Sequence, residues 1–130
     1  MTVGVSQANV AHQWLNWIRG TATTAPSTIF AKLHTADPGP AGATAAAAGD
    51  TTRKAVTYSA ASGGAIAITG TNPSWTNGGT SETLTHVSYW DASTAGNFLW
   101  SSALTAAQAW ANTNTFTLTT SGVSIAPIAA

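Results

Sequence analysis

The 130 residues suffice for one domain with a genuine hydrophobic core and leave little room for a second. Four cationic and four acidic residues, with no cysteine, exclude a disulfide framework, a thiolate metal site and the clustered basic surface that nucleic acid requires. A neutral chain tends to associate, so this composition suits a protein that works inside an assembly.

The opening MTVGVSQANV lacks a basic n-region and a continuous apolar core, so no signal peptide is expected. No apolar run is long enough to span a bilayer, and no membrane partner is expected. Ser6 is placed to cap a helix that begins Gln7-Ala8-Asn9, with Val5 and Val10 positioned as a hydrophobic staple. Val10, Ala11, Trp14, Leu15, Trp17 and Ile18 then recur at helical spacing, and Gly20 follows as a stop, which predicts an amphipathic helix over residues 6–19. So short a helix is marginal alone, and its tryptophan stripe has to pack on something.

After Gly20 the chain turns to Thr, Ser, Val, Ile and aromatic runs separated by Gly, Pro, Asn and Asp, the pattern of strands and turns. Strands are predicted over residues 28–35, 53–59, 65–69, 83–91, 97–103 and 114–120, with a weak closing strand over 123–128. In the first, Ile29, Ala31 and Leu33 share one face, while Phe30, Lys32 and His34 share the other. In the last strong run, Phe116 and Leu118 oppose Thr115, Thr117 and Thr119. Residues 83–91 and 97–103, joined by 92–96, read as a hairpin whose Tyr89, Trp90, Phe98 and Trp100 are candidates for the centre of the core. The Pro-, Gly- and Ala-rich stretch 36–50 is predicted to be a long surface loop, either mobile or laid against a neighbouring chain. The expected architecture is mainly β: one domain over 1–130, with a sandwich of about six to seven short strands over 28–128 behind the helix.

Chemistry-bearing groups are few. His12, His34 and His86 show no metal-ligand spacing, and the carboxylates are limited to Asp37, Asp50, Glu82 and Asp91. His34 is near enough to Asp37 for a hydrogen bond, but Asp37 precedes Pro38 and reads more simply as the opening of a turn. Glu82 and Asp91 lie at opposite ends of one predicted strand, too far apart for a glycosidase pair. No Gly-x-Ser-x-Gly elbow is present, and Ser62-Gly63-Gly64 and Asn77-Gly78-Gly79 lack the Lys-Ser/Thr and helix of a phosphate loop. No catalytic, cofactor-binding or metal-binding residue is therefore assigned, and no enzyme is expected.

Tryptophan departs most from ordinary usage, with six in the chain. Trp14 and Trp17 are expected to cover the sheet, and Trp90 and Trp100 to fill the sandwich. Trp75 and Trp110 sit among Asn, Thr, Gly and Ala, and are the candidate interface residues, either for a protein partner or for stacking on a sugar.

The order of signatures resembles a known family. The helix ending Arg19-Gly20-Thr21, then Ala25-Pro26-Ser27-Thr28-Ile29-Phe30 leading to Leu33-His34-Thr35-Ala36-Asp37-Pro38-Gly39, is similar to small tailed-bacteriophage virion proteins labelled tail-fibre-like or minor structural. Arg53-Lys54-Ala55-Val56-Thr57-Tyr58 resembles a strand of that family, and Thr85-His86-Val87-Ser88-Tyr89-Trp90-Asp91-Ala92 with Gly96-Asn97-Phe98-Leu99-Trp100 resembles its central hairpin. Leu104-Thr105-Ala106 and Thr115-Phe116-Thr117-Leu118 complete the run. The resemblance implies a non-enzymatic structural part of the virion exterior, present in host cytoplasm during assembly. Its partners would be the major capsid protein or tail proteins, and it would be a homo-oligomer, with a trimer as the expected state. No repetitive shaft or receptor-binding tip is visible, which favours capsid decoration over a tail-fibre-like or minor tail role. A carbohydrate-binding module using exposed tryptophan is the alternative of a different class.

Overall fold

The structure is a computed structural model that describes residues 3–126. A two-residue strand β1 (Gly4–Val5) precedes a π-helical turn, Gln7–Ala11, that runs into helix α1 (His12–Ile18). The strands β2 (Ile29–His34), β3 (Lys54–Tyr58), β4 (Ala65–Thr69), β5 (Ser74–Thr76), β6 (Glu82–Trp90), β7 (Phe98–Trp110), β8 (Thr115–Thr117) and β9 (Gly122–Ser124) follow. The predicted mainly β class with one N-terminal helix is what the chain adopts. Its two layers are unequal: an antiparallel seven-stranded sheet in the order β1-β7-β6-β2-β3-β4-β9, and a two-stranded ribbon of β5 and β8. The predicted closing strand is shorter than expected, and its residues 127 and 128 lie outside the described residues.

The β6–β7 hairpin is the spine. Tyr89 pairs with Trp100 across it and their rings stack at 4.4 Å, while Tyr58 from β3 meets Trp100 edge-on at 5.8 Å. Stacked and edge-on aromatics are the two arrangements their quadrupoles favour. On β2 the predicted alternation holds for the core face, with Ala31 and Leu33 fully buried and Ile29 packed beside them. His34, on the opposite face, is also fully buried. What covers it is the segment 36–50.

That segment is not a detached loop. Thr35 N–H donates to Ala45 O at 2.9 Å, Ala47 N–H donates to Leu33 O at 3.0 Å, and Ala46 bridges to His34. Its far end is latched by Glu82, whose carboxylate accepts from Gly49 N–H at 2.7 Å and Ala48 N–H at 3.1 Å. Ala47 is wholly buried in the core cluster. The small alanine side chains let the backbone lie directly on the sheet. Gly42 adopts φ +70° with the Phe98 ring where its Cβ would stand. The segment is a surface loop as predicted, and it is packed on and hydrogen-bonded to its own domain.

Strand β7 runs seven residues beyond the predicted end at 103. The register jumps from His86 opposite Ala103 to Leu84 opposite Gln108, so a wide bulge lets the Ala- and Thr-rich part of β7 rejoin β6. Partner strand and bulge together override a weak local β preference there.

Candidate functional site

Helix α1 touches the sheet only through its leading turn. Ser6 N–H donates to Leu99 O at 2.6 Å, Ser6 Oγ caps Asn9 N–H at 3.3 Å, and Asn9 Nδ2 donates to Phe98 O at 2.9 Å. Val10 packs against the core. Beyond it the described residues leave the apolar side of the helix largely uncovered: Trp14 is 40% exposed, Leu15 62%, Trp17 71% and Ile18 72%. The expectation that Trp14 and Trp17 cover the sheet is thus corrected. The Tyr58–Trp100–Tyr89 cluster closes that side of the core with its own ring contacts, and the two indoles of the helix take no part in it. Between helix and sheet lies an open apolar groove of about 370 Å³, with Val10, Trp14, Ile29, Tyr58, Trp100 and Val123 on its walls.

The titratable groups hold the fold together. His34 Nδ1 is 2.8 Å from Thr44 O and its Nε2 is 2.7 Å from Ser88 Oγ, which also accepts from Trp90 Nε1 at 2.8 Å. Burial holds the His34 pKa below its ordinary value, against the opposing hydrogen bond to Thr44 O. A neutral imidazole tied on both nitrogens is a structural link. Asp37 Oδ1 accepts from Gly39 N–H at 2.9 Å, so it opens its own turn as the sequence suggested. Asp91 closes the hairpin loop by accepting from Asn97 N–H at 2.6 Å and Asn97 Nδ2 at 2.7 Å. Asp50 accepts from Thr52 N–H at 2.9 Å and pairs with Lys54 at 3.5 Å. Arg53 lies 3.7 Å over the Trp90 ring and donates to Ala92 O and Ala95 O, clamping the same loop from outside.

Tyr58 and Tyr89 share Ser121 Oγ, at 2.7 and 2.6 Å, and burial raises both phenol pKa values. Among the described residues no group of three or more His, Asp or Glu side chains could hold a metal. A second open depression of about 440 Å³ runs between β7 and β8; its polar side chains are Tyr89, Gln108 and Ser and Thr hydroxyls. Neither groove brings a nucleophile and a base together.

The two predicted interface residues lie elsewhere. Trp75 is 1% exposed and Trp110 2%, both inside the core cluster with Leu84 and Leu118. Trp75 Nε1 donates to Thr52 O at 2.9 Å, and its ring meets Phe116 at 6.3 Å. The backbone at Trp110 is held by Asn77, whose Nδ2 donates to Trp110 O at 2.6 Å and to Thr80 O at 3.1 Å. The indoles that look uncovered in sequence are sealed inside the domain, and neither presents a face for a sugar to stack on. The apolar surface that the sequence assigned to these two rings sits instead on the helix, where the 3.6-residue periodicity had marked it.

Residues 4–126, from the first strand through the last, match the family model described as Podophage GP4 fiber I protein gp80. The chain belongs to this phage fibre family. The fibre family is one of virion structural proteins, in agreement with the resemblance read from the sequence. It favours the tail-fibre-like alternative above the capsid-decoration role that the missing shaft had suggested. No curated protein matches the chain. Among the described residues no helix of this fibre-family chain is long and apolar enough to cross a membrane.

Proposed function

We propose that the chain is a non-enzymatic subunit of a tailed-phage fibre, carried on the outside of the virion and held there by contacts with neighbouring tail proteins. The observation that carries this reading is the fibre-family match over residues 4–126, which takes in every strand and the helix. The chemistry supports it. Each carboxylate serves a turn, a loop latch or an ion pair, and the buried histidine is tied on both nitrogens. The grooves of about 370 and 440 Å³ are lined by neutral side chains, and a third depression of about 360 Å³ has Asp91, engaged with Asn97, as its one charged side chain. Surfaces of this kind bind by fit and do not turn over a substrate.

Gold-conjugated antibody against the purified chain, applied to intact particles in the electron microscope, tests the assignment. Label confined to the tail is the expected outcome. Label distributed over the capsid would overturn the fibre reading in favour of decoration, and absence of the chain from purified particles by mass spectrometry would overturn the structural role altogether.

A further inference from the structure

Helix α1 carries its apolar residues on one side; Trp14 borders the groove against the sheet, and Leu15, Trp17 and Ile18 stand largely exposed beyond it. At about 100° per residue, Trp14, Leu15, Trp17 and Ile18 span an arc of roughly 160°, with His12, Gln13 and Asn16 filling the remainder. A soluble helix arranges residues this way to bury the arc, yet here the four side chains are 40–72% exposed and Val5 beside them is 41% exposed. Taking ~250 Å² for a fully accessible indole and rather less for an aliphatic side chain, the patch amounts to roughly 600 Å². That is at the upper limit of what a monomer leaves uncovered.

The chemistry of the patch selects its occupant. It carries no charge, and the nearest cation, Arg19, is turned to Asn16 with Nε donating to Oδ1 at 2.9 Å. Two copies can therefore face each other without like charges meeting, and a chain of zero net charge adds no long-range repulsion. About 600 Å² from each copy gives a pair about 1,200 Å², the lower bound for a stable interface. The polar side of the helix offers one arginine and one histidine, far short of the basic face with which amphipathic helices hold anionic bilayers.

We propose that the Trp14–Leu15–Trp17–Ile18 face is a self-association surface, on which the helices of two or more copies pack against one another at the N-terminal end of the domain. The proposal does not depend on where in the virion the chain resides. Sedimentation velocity of the full chain over a wide concentration range tests it. The wild type is expected as a discrete species of two or more copies. Replacing Leu15 and Ile18 together by lysine should raise the dissociation constant about a hundredfold or more and leave a single-copy species.

Both side chains are largely exposed, so the domain persists in that variant, with an unchanged unfolding midpoint at matched subunit concentration once the oligomer is dilute. The paired change Gln13→Lys with Asn16→Lys adds the same charge on the other side of the helix and should leave the oligomer intact. Collisional quenching gives an independent signal: Trp14 and Trp17 are the exposed indoles, so quenching should be weak in the wild type and strong in the Leu15→Lys/Ile18→Lys form. A monomeric wild type, an oligomer that survives Leu15→Lys/Ile18→Lys, or equal dissociation by both lysine pairs would overturn the proposal. Binding of a monomeric wild type to vesicles of mixed neutral and anionic phospholipid would assign the face to membrane instead.

Discussion

Replacing Gly42 by alanine tests whether the 36–50 segment is seated on the domain. Gly42 has φ +70°, and a Cβ there would lie 2.1 Å from Phe98 Cδ2 and 2.6 Å from Cε2. The left-handed backbone alone costs a non-glycine residue about 1–2 kcal/mol. The clash cannot be relieved cheaply, because Phe98 is 5% exposed and its ring packs edge-on against Trp90 at 5.6 Å, with Arg53 on the same indole. Overpacking of this kind adds about 1–3 kcal/mol, so the total expected loss is about 2–5 kcal/mol in urea unfolding. Gly63→Ala is the control, since its φ is +56° and nothing lies within 4 Å of the added carbon. It should lose only the backbone part. Phe98→Leu in the Gly42→Ala background should recover a share of the steric part, giving a favourable coupling in the double-mutant cycle. Equal destabilisation by Gly42→Ala and Gly63→Ala would refute the packing of this segment on Phe98.

Trp75→Phe should be more destabilising than Trp110→Phe by about 1 kcal/mol in chemical denaturation, because Trp75 Nε1 donates to Thr52 O whereas Trp110 Nε1 is buried without a partner; the reverse order would contradict the assigned bonds. Asn77→Ala removes the donor to Trp110 O and Thr80 O and the acceptor for Gly79 N–H, and should cost about 2–4 kcal/mol by the same assay. Burial lowers the His34 pKa on folding, so between that value and the unfolded value near 6.5 the unfolded chain binds more protons. The His34 contribution is complete above about pH 6.5 and is lost as pH falls toward the folded pKa; His34→Gln, less stable at neutral pH, should show a flatter decline from pH 7 to 5, and parallel pH profiles would count against a buried neutral imidazole.

Local signals made the helix and the central hairpin legible. Ser6, the 3.6-residue period and Gly20 are all within one short window, and the aromatic pairs of β6 and β7 face each other across a short loop. The alternation on β2 separated Ala31 and Leu33 from Phe30 and Lys32 for the same reason, and the structure makes the Ala31–Leu33 face the core. What the sequence hid depends on distant partners. Strand β5 is three residues between Pro73 and Asn77, and becomes a strand only because Thr115–Thr117 pairs with it. The covering of Trp75 comes from Thr52 and Phe116, and the clamp at Trp110 from Asn77. The 36–50 segment reads as featureless because its anchors, Glu82 and Phe98, lie more than thirty residues on.

The helix shows the limit of periodicity in the other direction. An amphipathic arc states that a face is to be buried; it carries no information about whether the cover is the same chain or another. Trp75 and Trp110 looked available because their flanks are polar, and Trp14 and Trp17 looked covered because they lie on a helix, yet the exposures are the opposite. The difference follows from where the polar groups are used. The Asn77 and Glu82 side chains satisfy backbone donors and acceptors around the ribbon and the long loop, and the Thr52 carbonyl accepts from the Trp75 indole. Among the described residues His12, Gln13 and Asn16 make no hydrogen bond to the sheet, and α1 is tied to it through Ser6, Asn9 and Val10 of the turn that precedes it. Among the described residues the acids are engaged in the domain's own loops, and four of the six largely exposed apolar side chains stand on that one helix.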